Sequence, residues 1–253
     1  MIRLKKEKDL EGLRNSGKIL AQILVALKEK AKEGVNLMDL EETARAMLKE
    51  EGATAAFLNY KPEGASVPYP AALCLSLNDQ IVHGTPRDRV LKDGDILKVD
   101  FGVVYDGYIT DAAFTVGIGA ISKPAEKLIQ VTEEALKAGL AAVRPGGTLG
   151  DIGYAIEAHV EKNGLTVVEG LTGHGTGFKL HEDPTVYNYG RRGEGMKLQP
   201  GLVLAIEPMV SLGSAHIKQS RDDSYYTQDG SLSAHFEKTI AVTKSGIEIL
   251  TAF

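Results

Sequence analysis

The sequence predicts an α/β (α+β) protein in which antiparallel sheet is flanked by helices. Two amphipathic helical stretches open the chain, short β-branched and apolar runs follow, and the same order of helices and then strands returns in the second part. The 253 residues are 43% hydrophobic and carry 29 Lys and Arg against 34 Asp and Glu, a formal charge of −5. This composition indicates a globular chain that can bury a large core.

The first two helices are predicted over residues 6–33 and 37–51. In the first, leucines and isoleucines recur at spacings of three, four and six residues, and Gly34 can end it. The second follows Asn36, whose side chain can cap it, and ends at Gly52. We expect the two to form a helical pair.

Sheet is predicted over residues 72–117, where apolar runs are punctuated by Gly and Asp. Helices return at 124–142 and 148–163, and Thr148 with an aspartate three residues later forms a capping-box pattern. Strands and glycine-rich loops dominate from Thr166 to the end.

A shift of 112 residues lays residues 34–52 over 146–164 with five identities in nineteen positions. Two capped helices can look alike without being a repeat, so this alternative stays open. If the repeat is real, residues 1–253 form a single domain with halves of about 1–120 and 121–253. A site at the junction would then take side chains from both halves.

Composition also excludes several classes of protein. The mild acidity, without Lys/Arg clusters among aromatics, argues against nucleic acid as the main partner. The charged N-terminus predicts no signal peptide, and no apolar run is long enough to predict a membrane span. Cys74 is the only cysteine, which favours a reducing compartment, and we expect the cytoplasm.

Two aspartates are predicted to share one face of a β-hairpin. If the two-residue loop is Tyr105-Asp106, Asp100 faces Asp111 directly; if it lies one residue later, Asp111 faces Gly102, on the same side as Asp100. A bulged turn would break this parity. Adjacent carboxylates repel each other, and a divalent metal is the natural neutraliser.

Three further side chains complete a candidate ligand set. His174 lies between glycines, and Glu207 and Glu237 lie in apolar or β-forming runs where an unpartnered carboxylate is costly to bury. A solvated strand position or a salt bridge is the alternative for each carboxylate alone. Together with Asp100 and Asp111 they suit two Mn, Fe, Co or Zn ions, and hydrolysis is the reaction class implied. His181 and His83 are further candidates for function.

At these positions the chain resembles the type I methionine aminopeptidases. The family's segments occur in the family's order over essentially the whole chain: NDQIVHGTP, VDFG, TDAAFT, GHGTG, HEDP, AIEP and FEKTI. The resemblance implies the pita-bread fold, with a curved antiparallel sheet, flanking helices and pseudo-two-fold halves.

The resemblance also implies roles for the candidate ligands. Asp100 corresponds to a ligand of one metal, His174 and Glu207 to ligands of the other, and Asp111 and Glu237 to the bridging carboxylates. Glu207 also corresponds to the general base. The cofactors implied are two divalent ions, chosen among Co, Mn, Fe, Zn and Ni.

The remaining implied roles concern the substrate. His83 resembles the histidine that contacts the scissile amide, and His181 the one that polarises the carbonyl. Tyr69, Cys74 and Leu180 correspond to the pocket for the methionine side chain, although relatives often carry Phe where this chain has Leu180. Cys74 could equally be a small buried hydrophobe.

Two other features depart from the family or extend the site. The loop at 61–70 is expanded, and no Trp is present to cover the pocket, a role that Tyr225 or Tyr226 could take. The resemblance adds a monovalent cation site, found in some relatives, at Asn78, Gln80 and Ser233.

The function implied is removal of the initiator methionine from nascent chains whose second residue is small. The expected partners are nascent N-termini, with a transient ribosome contact, no membrane, and a monomeric state. The alternatives are an Xaa-Pro aminopeptidase, although no room is apparent for the extra N-terminal domain usual there, and an inactive pita-bread scaffold, which would have lost metal ligands.

Overall fold

Helices form where the apolar spacing predicts them. The computed structural model describes residues 2–61 and 67–253, so part of the predicted 61–70 loop, residues 62–66, lies outside the described residues. Within the described part, the helices are α1 (Glu7–Lys30), α2 (Leu37–Glu50), α3 (Lys123–Ala142) and α4 (Leu149–Lys162). The predicted helical pair packs together as α1 and α2.

The predicted caps of α2 and α4 are present. The side chain of Asn36 accepts a hydrogen bond from the Met38 N–H at 3.0 Å. At α4, Thr148 accepts from the Asp151 N–H, and the Asp151 carboxylate accepts from the Thr148 N–H at 2.9 Å. These reciprocal bonds satisfy backbone donors that the first helical turn leaves unpaired.

Strands occupy the remainder of the chain in short pieces. They are β1 (Thr54–Ala55), β2 (Leu73–Leu77), β3 (Gln80–Val82), β4 (Ile96–Tyr105), β5 (Tyr108–Gly117), β6 (Thr166–Val167), β7 (Gly173–Gly175), β8 (Glu182–Val186), β9 (Val203–Ile206), β10 (Met209–Ser211), β11 (Ile217–Gln219), β12 (Tyr225–Thr227), β13 (Ser233–His235), β14 (Lys238–Val242) and β15 (Ile247–Ile249).

All the strand pairs in the described residues are antiparallel, and they form four sheets. In the first, β4 pairs with β5 on one edge and with β1 and β2 on the other. The largest has the order β15-β14-β9-β7-β8, and two three-stranded sheets have the orders β13-β10-β6 and β11-β12-β3. The sheet predicted over residues 72–117 therefore corresponds to β2, β4 and β5, whereas β3, from the same stretch of sequence, pairs with β12.

The β4–β5 hairpin follows the second of the two predicted registers. Tyr105 pairs with Tyr108, so the loop is Asp106-Gly107, with φ of 49° and 79°. Positive φ at both positions is typical of the type I′ turn that Asp-Gly favours. Asp111 consequently faces Gly102, and it lies on the same face of the hairpin as Asp100.

The two predicted halves share local hydrogen bonding before their second helices. Gly34, with φ of 85°, donates its N–H to the Leu91 carbonyl, and Gly146, with φ of 80°, donates to the Leu198 carbonyl. In return, Leu91 donates its N–H to the carbonyl of Val35, and Leu198 donates its N–H to the carbonyl of Gly147. Each acceptor is the residue that directly follows the glycine. This recurrence supports our proposal of a single domain with pseudo-two-fold halves.

The main core lies between the helices and one face of the sheets. Val99, Phe101 and Val103 of β4 are fully buried in one apolar cluster with leucines of α1 such as Leu20 and Leu24. Alternation along β4 turns Asp100 to the opposite face. No helix in the described part of the chain is both long and apolar enough to cross a membrane.

Gly17 of α1 provides a test of this packing. A methyl group at Gly17 would overlap the backbone carbonyl of Leu250. We expect Gly17→Ala to lower the free energy of unfolding by roughly 1 to 3 kcal/mol, because the neighbouring backbone must move. In an unobstructed helix the same change would be stabilising by up to about 1 kcal/mol.

Urea denaturation measures this difference. Lys18→Ala, at the exposed next residue of α1, is the control and should change stability by less than about 0.5 kcal/mol. A Gly17→Ala protein as stable as the wild type would show that α1 does not pack tightly on the C-terminal strand region.

Candidate metal centre

A cavity of about 800 Å³ opens on the face of the sheets opposite the helices. It is lined by every side chain that the sequence analysis assigned to catalysis, divalent metal or substrate: Tyr69, Cys74, His83, Asp100, Asp111, His174, Leu180, His181, Glu207 and Glu237. These residues come from both parts of the chain, so the cavity lies where the two parts meet.

Backbone and side-chain hydrogen bonds hold β5 against the segment that carries Glu237. The N–H of Glu237 donates to the Ala113 carbonyl at 3.0 Å, and the N–H of Ala113 donates back at 3.4 Å. Asp111 donates its N–H to the Thr239 hydroxyl at 2.9 Å, and this hydroxyl donates to the Asp111 carbonyl at 2.7 Å. The backbone therefore fixes Asp111 and Glu237 beside each other.

His174 and Glu207 approach from neighbouring strands of the largest sheet. His174 lies on β7, and Glu207 directly follows β9, which pairs with β7. The His174 Nδ1 lies 3.0 Å from the Gly175 carbonyl, so a proton on Nδ1 can be donated there. The Nε2 then carries the lone pair and lies 3.5 Å from a Glu207 oxygen. A lone pair facing a carboxylate suits a cation between them.

The carboxylates are buried close together, and this changes their acidity. Burial raises the pKa of Asp111 to about 7. Burial, and then repulsion by neighbouring carboxylates, raise the pKa of Asp100, Glu207 and Glu237 well above their usual range. Such a cluster is costly unless positive charge compensates it.

The unmet hydrogen-bonding capacity of the cluster fits divalent metal. Among the described residues, Asp100 Oδ1, Asp111 Oδ1 and Glu237 Oε1 are buried without a hydrogen-bond partner. Ligand atoms of Asp111, His174 and Glu237 all lie within 4.8 Å of one another. Carboxylate oxygens with one imidazole suit Mn, Fe, Co or Zn.

Two further histidines face the same cavity. His181 is 4.4 Å from His174 between ring centroids, and its Nδ1 lies 2.8 Å from the Tyr60 hydroxyl. Burial lowers the pKa of His181 to about 3 and also lowers the pKa of His83. Both rings are therefore neutral near pH 7. His83 also has a φ of 61°, a conformation that is uncommon overall and concentrated at functional positions.

An apolar recess adjoins the carboxylates. Cys74 and Leu180 pack with Phe57 and with the rings of Tyr60 and Tyr69. Burial and the negative charge of Asp100 raise the pKa of Cys74 well above its usual range, so the thiol stays neutral. The recess therefore suits an uncharged, apolar side chain.

The sequence analysis missed Phe57 and Tyr60 as wall residues. The aromatic pair in the short segment FLNY, just before the expanded loop, was the available signal. Gly102 gives Phe57 its place, because a Cβ there would come within 2.9 Å of the Phe57 ring. Tyr225 packs on the His83 ring instead, at 5.5 Å between centroids, and lies outside the described cavity lining, as does Tyr226.

The side chain of Lys98 reaches the site that was predicted to hold a monovalent cation. The Nζ of Lys98 donates to the main-chain carbonyl of Asn78 at 2.7 Å and to that of Ser233 at 3.1 Å. The Ser233 hydroxyl in turn lies 3.5 Å from the Gln80 carbonyl.

Comparison with known proteins gives consistent matches over the full chain. The model of metallopeptidase family M24 matches residues 11–244. A methionine aminopeptidase of Clostridium perfringens is 46% identical over 253 residues, which cover 99% of each chain. The crystal structure of methionine aminopeptidase from Rickettsia prowazekii superposes with a TM-score of 0.95 at 38% identity, covering 100% of both chains.

A more distant likeness concerns the fold alone. The prolidase of Pyrococcus horikoshii superposes with a TM-score of 0.76 at 20% identity. The match covers 98% of this chain and 63% of the prolidase.

Charge repulsion in the cavity predicts an unusual response to Asp111→Asn. Without metal at pH 8, we expect the variant to be more stable than the wild type by about 2 to 4 kcal/mol. The reason is that burial raises the pKa of Asp111 to about 7, so above that pH the wild type buries an uncompensated charge. The gain should shrink towards pH 5, where the wild-type carboxyl is protonated in the folded state.

Urea denaturation of EDTA-treated protein at pH 5 and pH 8 measures this effect. Mn²⁺ should stabilise the wild type and fail to stabilise the variant. Asp106→Asn, at the exposed tip of the same hairpin, is the matched control and should behave as the wild type. A metal-free wild type that is the more stable protein at pH 8 would contradict the repulsion.

Proposed function

Because the chain belongs to metallopeptidase family M24, we propose that the cavity is the active site of a metal-dependent methionine aminopeptidase. The enzyme removes the initiator methionine from nascent chains whose second residue is small. The observation that carries this proposal is the meeting of five candidate ligands and two neutral histidines beside one apolar recess. The predicted family and pita-bread fold are confirmed by the full-length matches.

Five side chains would hold two divalent ions. In this proposal Asp100 would bind one ion, and His174 and Glu207 would bind the other. Asp111 and Glu237 would contribute to both. The bound ions supply Lewis acidity and lower the pKa of water at the site.

The acidic cluster and the recess together account for cleavage at the N-terminus. With its ions bound, the acidic cluster would offer a Lewis-acid position to the lone pair of a neutral N-terminal amine. The recess formed by Tyr69, Cys74 and Leu180 accepts the apolar, polarizable methionine side chain. Only the first residue of a peptide presents an amine and its own carbonyl at this spacing, so internal peptide bonds are not aligned.

Glu207 acts as the general base and His83 and His181 act on the substrate amide. Glu207 accepts the proton of the attacking water and returns it to the leaving amine. In this mechanism the Tyr60 hydroxyl, 2.8 Å from His181 Nδ1, donates to that nitrogen, so that Nε2 carries the proton and donates to the carbonyl oxygen as negative charge develops. His83, which lines the same cavity, contacts the scissile amide.

The two neighbouring histidines therefore differ in tautomer. His174 places its proton on Nδ1 towards the Gly175 carbonyl and keeps Nε2 free as a ligand, whereas His181 keeps Nε2 protonated as a donor. Their hydrogen-bond partners set this difference, since the rings themselves are chemically identical.

The cellular setting follows from this activity. Nascent polypeptide N-termini are the substrates, and we place the enzyme in the cytoplasm as a monomer that contacts the ribosome transiently. The single cysteine and the mildly acidic composition support this setting.

Peptide cleavage by metal-stripped, reconstituted protein tests the proposal. With Mn, Fe, Co, Zn or Ni added back, we expect metal-dependent release of methionine from Met-Ala-Ser and little cleavage of an Ala-Pro peptide. Glu237→Ala should lower activity on the order of 100-fold or more with every metal, because a shared ligand is lost.

The other results would point elsewhere. Cleavage of the Ala-Pro peptide in preference to Met-Ala-Ser would move the function to the proline-directed branch of the family. Cleavage of neither peptide, under conditions where the metals bind, would favour a scaffold protein.

Tyr60→Phe tests the tautomer assignment. Loss of the hydroxyl removes the group that would keep the proton of His181 on Nε2. We expect kcat to fall about tenfold, the value of one hydrogen bond, with KM little changed. Steady-state kinetics on Met-Ala-Ser measure this. Tyr187→Phe, at an exposed tyrosine, is the control and should leave kcat unchanged. A Tyr60→Phe enzyme with wild-type kcat would refute the role of the hydroxyl.

A further inference from the structure

Lys98 is a buried lysine whose hydrogen-bond acceptors are all neutral oxygens. The residue is 1% exposed and lies on the same face of β4 as Asp100. Its Nζ donates to the carbonyls of Asn78 and Ser233, at 2.7 and 3.1 Å, and approaches the Ser233 hydroxyl at 3.4 Å. Among the described residues no carboxylate oxygen lies within 4.0 Å of this Nζ.

The acceptors form a cage of hard oxygens. The Asn78 carbonyl also accepts the N–H of Ser233 at 3.1 Å and its hydroxyl at 3.3 Å, which brings the two segments together. Carbonyl and hydroxyl oxygens in such an arrangement replace the hydration shell of a monovalent cation. An ammonium and a free cation cannot share these oxygens, because both carry a positive charge and need the same lone pairs.

We propose that Lys98 is a built-in replacement for the monovalent cation expected at Asn78, Gln80 and Ser233. Its tethered ammonium supplies the positive charge, so this protein needs no sodium or potassium ion there. This goes beyond the proposed function, because it concerns how the cavity wall is held together rather than the reaction.

The position of the cage gives Lys98 a positioning role. Lys98 precedes Asp100 by two residues, Ser233 precedes Glu237 by four, and Asn78 precedes His83 by five. One ammonium therefore joins three segments that each carry a side chain of the cavity. Asn78 itself has a φ of 54°, a conformation that turns its carbonyl into the cage while its side chain bonds to Asp95 and Ile96.

Two variants separate the charge of Lys98 from its volume. Lys98→Ala removes both and leaves the oxygen cage open to a cation, whereas Lys98→Met keeps most of the volume and removes the charge. Thermal melting of Mn²⁺-saturated protein, in which the acidic cluster is already compensated, is measured in choline chloride and in KCl, NaCl or NH₄Cl at equal ionic strength. Melting does not depend on peptidase activity, so the result stands whether or not the proposed function is correct.

The wild type should melt at the same temperature in all four salts. Lys98→Ala should melt lower by roughly 4 to 8 °C in choline chloride, and it should regain at least half of that loss in KCl, NaCl or NH₄Cl. Lys98→Met should be destabilised in every salt, because its side chain fills the cage. Crystals of Lys98→Ala soaked in RbCl should show an anomalous peak between the carbonyls of Asn78 and Ser233.

Three outcomes would overturn the proposal. The first is a wild type that melts several degrees higher in KCl or NaCl than in choline chloride. The second is a Lys98→Ala protein that responds equally to choline and to the small cations. The third is cation rescue of Lys98→Met. If Lys98→Ala does not fold, the wild-type comparison and Lys98→Met still decide the question.

Discussion

The fold is constrained by the burial of four carboxyl groups around one cavity. Burial raises the pKa of Asp100, Asp111, Glu207 and Glu237, so each one favours protonation or a nearby cation. No single strand could hold them together against their repulsion. The hairpin fixes two of them by alternation, and the hydrogen bonds between Asp111 and Thr239 attach the hairpin to the sheet that follows Glu237. The rigid backbone keeps the ligands in place while the helices bury the other face.

Positive charge next to the acidic cluster can come from two places, the open cavity and the interior of its wall. The carboxylates face the open cavity, where exchangeable ions can reach them, whereas the Lys98 ammonium lies deeper in the wall among neutral carbonyls. The two kinds of charge therefore have different tasks. In our proposals the exchangeable ions take part in the reaction, and the Lys98 side chain holds the segments of the cavity wall together. In the proposed mechanism, hydrogen bonds make a similar division between His174 and His181, since one ring would bind metal and the other would donate a proton.

Local sequence patterns predicted much of this protein. The helices, the caps at Asn36 and Thr148 and the shared face of the hairpin aspartates depend on residues a few positions apart. The unpredicted contacts join distant segments: Tyr60 to His181 across 121 positions, and Lys98 to Ser233 across 135. No periodicity or capping rule relates such pairs. The candidate ligand set came from carboxylates in apolar runs and a histidine between glycines, and the family resemblance implied the role of each ligand.

The contact between Asp111 and Thr239 is expected to form late in folding. The contact closes a loop of 128 positions. Contacts of this separation form slowly, because the chain must lose conformational entropy before the contact contributes any stabilising free energy. The hairpin, by contrast, can form early from neighbouring residues. A chain that is only half synthesised contains Asp100 and Asp111 but neither His174 nor Glu237. An enzyme that acts on nascent chains is thus unable to assemble its own metal centre while it is itself a short nascent chain.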